Sequence, residues 1–169
     1  MAAKRHGTAH ADLVELPSVR DRVSPEEWRT RVDLAACYRL AFHYGWHHLI
    51  LNHISARVPG DEEHFLLNPF GLMYNEVTAS NLVKVDLDGN VLTDTPYTIN
   101  AAGYTIHSAV HAARPDVKCV LHTHTEAGIA VSTLKCGLLM FNQEVNKLFR
   151  ILFQWFKGSF GWCFGQVSG

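Results

Sequence analysis

The chain has 169 residues, 47% of them apolar, and a formal charge of −1, which suffices for one domain with a substantial core. Its charges are mixed, with no long basic run and no RNA-type aromatic motif, so nucleic acid is not an expected partner. No stretch approaches the roughly 18 consecutive apolar residues of a membrane span, and Cys37, Cys119, Cys136 and Cys163, far apart and without Cys-x-x-Cys spacing, read as reduced thiols of a cytoplasmic protein.

Residues 1–23 are polar and unpatterned, the expected signature of a loose arm, and Met1 to His6 lacks the apolar run that a secretory signal needs behind it. Ser24-Pro25-Glu26-Glu27 supplies an N-cap, a proline at the first helical position and a capping-box carboxylate, and the helix it opens is expected to close at Gly45. Trp28, Val32, Ala35, Ala36 and Leu40 form its predicted buried stripe. Asn52 to Val58 and His64 to Asn68 read as strands joined by Pro59-Gly60-Asp61, and Leu82 to Asp86 with Val91-Leu92 as a hairpin around Asp88-Gly89-Asn90. A helix from His107 to Ala113, a strand from Val117 to His122 and a helix from Glu126 to Leu134 follow. The hairpins argue against a doubly wound parallel sheet and for a sheet covered by helices.

His122-Thr123-His124 stands directly behind the apolar run Cys119-Val120-Leu121. Strand side chains repeat every second residue, so both imidazoles leave one face together and suit a divalent metal. The same spacing also fits two polar residues at a strand end. Arg57 and Lys84 read as surface charges, His47, His48 and His64 as solvated or backbone-bonded residues near turns, and Tyr104 as packing beside a helix start.

Taken together, Asn52-His53-Ile54-Ser55-Ala56-Arg57, Asn68-Pro69-Phe70-Gly71-Leu72, Val77-Thr78-Ala79-Ser80 and the long segment from Ile106 through Arg114-Pro115-Asp116 to His122-Thr123-His124-Thr125 resemble the class II aldolase/adducin family, in the family's order, over roughly residues 25–144. The resemblance implies an α/β domain of three layers, α/β/α, around a mainly antiparallel or mixed sheet. It also implies a zinc-type divalent site at His122 and His124. The family's third histidine comes later, and no histidine follows His124 in this sequence. The domain is therefore expected to be C-terminally truncated and its site weak, unless His107, His111 or Glu126 substitutes.

The resemblance also maps a substrate pocket onto His53, Phe70, Gly71, Ala101, Ala102 and Gly103. Gly103 stands where the sugar-phosphate aldolases carry their proton-transferring carboxylate, and Ala101 and Ala102 stand where those enzymes grip phosphate with serines. No catalytic residue is thereby assigned, and aldolase-type lyase activity is expected to be compromised or absent. These substitutions, with Lys135-Cys136-Gly137-Leu138-Leu139, are similar to the adducin branch, which implies an alternative: a non-catalytic module that binds actin, other cytoskeletal proteins or further partners. Family members also form homo-oligomers. Residues 145–169 depart from the pattern in an aromatic-rich tail, for which self-association is expected rather than recruitment to a membrane surface.

Overall fold

A computed structural model describes residues 17–60 and 63–135. Helix α1 spans Pro25–His43. The Ser24 hydroxyl accepts the Glu27 N–H at 3.1 Å, Pro25 occupies the first turn, and Gly45 turns the chain away at φ 69°. Strands β1 (His53–Arg57), β2 (Phe65–Leu67) and β3 (Val83–Val85) follow, then α2 (Ala101–Ala113), β4 (Cys119–His122) and α3 (Glu126–Ser132). The four strands form one sheet in the order β3-β2-β1-β4, antiparallel at every pairing. The Asp88-Gly89 turn forms as predicted, with Gly89 at φ 92°, and a single bridge joins Val85 to Val91.

Two apolar clusters lie on opposite faces of this sheet and give the three layers. Leu34, Tyr38 and Ala41 of α1 meet Ile54, Ala56, Leu66 and Cys119 on one side. Phe65, Leu67, Val83 and Val85 meet Tyr97, Ile99 and Tyr104 on the other. Because alternate residues of β1 point to opposite faces, Ile54 and Ala56 serve α1, and His53, Ser55 and Arg57 are left facing α2. Tyr38 ties α1 to the sheet: its hydroxyl accepts the Ile54 N–H at 2.9 Å and reaches Asn68 Oδ1 at 2.9 Å.

Three expectations need correction. The buried face of α1 is Glu27, Thr30, Arg31, Leu34, Ala35, Tyr38 and Ala41, whereas Val32 and Leu40 remain 45% and 43% exposed. The rotation follows from a buried ion pair that hydropathy does not register: Arg31 Nε lies 2.8 Å from Glu27 Oε1, and Lys84 Nζ lies 3.1 Å from Glu27 Oε2. Lys84 is thus a partner of α1, and the Glu27 carboxylate serves these cations. Arg57 is likewise buried, its guanidinium donating to the carbonyls of His111 at 2.6 Å and Val117 at 3.3 Å, where α2 ends. It satisfies helix C-terminal acceptors that would otherwise be orphaned. Finally, α2 begins six residues before the predicted start at His107, because the Asn100 side chain accepts the N–H groups of Ala102 and Gly103 and makes Ala101-Ala102-Gly103 its first turn.

Candidate metal centre

Antiparallel register places His53 directly opposite His122, with Ser55 opposite Val120. Directly opposed residues share a face, so β1 and β4 both turn histidines toward α2. His124, two residues on, returns to the same side. The imidazoles form a chain: His48 to His124 at 5.8 Å between ring centres, His124 to His122 at 4.6 Å, His122 to His53 at 6.2 Å, and His53 to His107 at 5.9 Å. Beyond His107, Ser55 Oγ continues it, 2.6 Å from His107 Nδ1 and 2.9 Å from His111 Nε2. His107 and His111 lie one turn apart on the buried face of α2, and this spacing is the signal by which sequence alone could have paired them with β1.

Burial governs the charge of this chain. It holds the imidazole of His53 down to about 4 and that of His111 to about 4, while His107, more deeply enclosed, falls to about 3. Neighbouring imidazoles add to the burial for His53 and His107, and the Arg57 guanidinium does so for His111. His122 is lowered for the same reasons, burial first and then His124. Neutral imidazole is the form that binds metal.

The donor set fits a divalent ion in part. His122 Nε2 and His124 Nε2 are 3.0 Å apart, within the roughly 2.9–3.4 Å that two nitrogens about 2.0–2.1 Å from one zinc ion would span. Without an ion, one ring can donate its N–H to the other across the same gap. Buried ring nitrogens of His53, both of them, and Nε2 of His107 lack a hydrogen-bond partner among the described residues. Such orphans call for an ion, a water or a ligand group. As the side chains stand, no group of three His, Cys, Asp or Glu among the described residues is arranged to hold a metal. Glu126 lies exposed in the first turn of α3.

The other predicted pocket residues separate into two places. Gly103 is buried against His53: a Cβ built on it would sit 2.6 Å from His53 Nε2. Ala101 and Ala102 are exposed on the first turn of α2. Phe70, 47% exposed, and Gly71, at φ 90°, form a turn after β2, held near the approach to α2 by a bond from Phe70 N–H to the Thr98 carbonyl at 2.8 Å. Tyr104 packs as expected, stacked on Phe65, with its hydroxyl donating to the Leu87 carbonyl at 2.6 Å.

The close approach at Gly103 makes one prediction. Gly103→Glu would return a carboxylate to the position, but its Cβ displaces a buried imidazole, and overpacking of this kind costs about 1–3 kcal/mol. A urea midpoint below that of the parent chain, with no gain in sugar-phosphate cleavage, is the expected result. An unchanged midpoint would mean that the His53 ring moves aside freely.

Residues 32–157 match the family model of the class II aldolase and adducin N-terminal domain. A candidate class 2 aldolase protein of Pseudomonas aeruginosa is 66% identical over 126 residues, which are 75% of this chain and 48% of that protein. Alpha-adducin of Rattus norvegicus is 52% identical over 130 residues, covering 76% of this chain and 18% of the adducin. Among solved structures, the L-fuculose 1-phosphate aldolase of Glaciozyma antarctica superposes with a TM-score of 0.66 at 31% identity, over 81% of this chain and 56% of that one. The chain thus spans about half the length, or less, of the relatives it matches. With the sheet order, the layering and these matches in agreement, the chain belongs to the class II aldolase and adducin family.

Proposed function

We propose that this chain is a divalent-metal-binding domain of the aldolase type in which His122 and His124 hold the ion and the ordinary lyase reaction is disabled. The observation that carries the reading is the convergence of the two Nε2 atoms at 3.0 Å at a half-buried strand end. When bound, a zinc-type ion polarises a substrate carbonyl and stabilises the charge that develops on its oxygen. The chain's own residues then define what else is available. His53, packed on Gly103, lies beside His122, and Ser55 bonds His107 and His111 behind it. No carboxylate stands at position 103 to move a proton, and Ala101 and Ala102 offer a phosphate no side-chain hydrogen bonds.

Isothermal titration with zinc tests the assignment. The parent chain is expected to take up one ion, and the double variant His122→Ala/His124→Ala to lose at least about 100-fold in affinity, because neither imidazole of the chelate remains. Equal stoichiometry and affinity in the two proteins would remove the metal reading. The zinc-loaded chain is expected to cleave L-fuculose 1-phosphate no faster than zinc ion alone.

The second reading is a non-catalytic module that associates with cytoskeletal proteins or with copies of itself. Its support is the 52% identity to alpha-adducin, combined with glycine at position 103. Co-sedimentation with filamentous actin, together with no zinc uptake by the parent chain, would favour it.

A further inference from the structure

We propose that His53 supplies a third imidazole to the ion held by His122 and His124. This inference rests on the metal reading above and extends it to a residue of β1. Three observations single out His53 among its neighbours. Its Cα is paired in register with that of His122, so the ladder itself fixes the two side chains on one face. Its ring lies nearly parallel to that of His122, 19° apart, and both of its nitrogens are buried without a hydrogen-bond partner among the described residues. Its ring sits against Gly103 in the first turn of α2, where a Cβ would lie 2.6 Å from His53 Nε2.

The competing donors are less suited. His107 has Nδ1 committed to Ser55 at 2.6 Å and sits behind His53 in the chain of rings. His48 is exposed on the turn after α1 and hydrates at no cost. A buried imidazole with two bare nitrogens gains more from an ion than a solvated one does. Because no three donors converge as the side chains stand, the His53 ring has to turn toward His122 on binding. The glycine at position 103 and the histidine at position 53 are then one arrangement: the helix gives up a side chain so that the strand can present an imidazole.

Copper(II) is the probe, since pulsed electron paramagnetic resonance counts the imidazoles bound to it. The full chain loaded with one equivalent is expected to show three, and His53→Asn two, with zinc affinity falling about tenfold or more, as loss of even an outer-shell partner costs that much. Two imidazoles in the parent, or three retained in His53→Asn, would overturn the proposal while leaving His122 and His124 as ligands. Absence of uptake by the parent would remove the metal reading itself and this inference with it. Should His53→Asn fail to fold by circular dichroism, His48→Asn carries the test from an exposed position: a count of three must survive it, and a drop to two would assign the third donor to His48.

Discussion

Lowering the pH from 7 to about 4.5 in the presence of a chelator is expected to unfold the domain. His107 and His111 are both essentially inaccessible, at 0% and 1% exposure, and their imidazoles titrate at about 3 and about 4 in the folded chain. In the unfolded chain they titrate near 6.5. Above that value both states are neutral and the two residues give no pH dependence. Below it the unfolded chain binds protons that the fold refuses, so stability declines as pH falls from about 6.5 until the folded values near 4 and 3 are passed. Each such group contributes up to about 1.4 kcal/mol per pH unit, so the pair removes nearly 3 kcal/mol per unit from a domain whose total is of order 5–15 kcal/mol. His53 acts in the same direction. Urea midpoints taken at half-unit intervals from pH 7.5 to 4.5 measure the slope. A flat profile would mean that these rings take up protons as readily in the fold as in the unfolded chain, so that burial does not hold them neutral.

A second large effect is expected at Arg31. This side chain is 1% exposed and donates to Glu27 at 2.8 Å, to the Leu82 carbonyl at 2.8 Å and to the Ala79 carbonyl at 3.3 Å. Burial lowers the tendency of the guanidinium to stay charged, and Glu27 opposes that cost. Arg31→Ala leaves two carbonyls and part of a buried carboxylate without their donor, and breaking a buried pair from one side costs about 3–5 kcal/mol. Thermal unfolding of Arg31→Ala beside Arg31→Ala/Glu27→Gln separates the two contributions, because removing the stranded charge should recover part of the loss. A single variant within about 0.5 kcal/mol of the parent would show that the ion pair is not formed in solution.

The same residues explain what could be read from the sequence and what could not. Ser24, Pro25, Gly45 and the Asp88-Gly89 turn act on backbone within a few positions of themselves, so their signals are complete in the sequence. The period-2 spacing of His122 and His124 is equally local. The face of α1 was not legible because Glu27 and Arg31 look like surface residues until Lys84 and the carbonyls of Ala79 and Leu82 are brought to them from beyond β2. Arg57 misled for the same reason, since its acceptors lie at the far end of α2. The start of α2 was missed differently: its cap, Asn100, is a standard N-cap residue, but two alanines and a glycine behind it carry too little amphipathic pattern to announce a helix. The resemblance marked His53 as lining the pocket, but its position opposite His122 depends on a strand pairing that no local spacing encodes.

The order β3-β2-β1-β4 also says when the histidines meet. β1 and β2 are joined through residues 58–64 and β2 and β3 through residues 68–82, so the meander they form closes smaller loops than the pairing of β1 with β4 does. Strand β4 is separated from β1 along the chain by β2, β3 and α2, so the register that opposes residues 53 and 122 closes a much longer loop. At the outer end of the strand order, β4 pairs with one strand, β1, among the described residues, and α2 packs against it. An ion bridging the two strands, as proposed above, would therefore act as a latch on the pairing that closes the longest loop of the sheet.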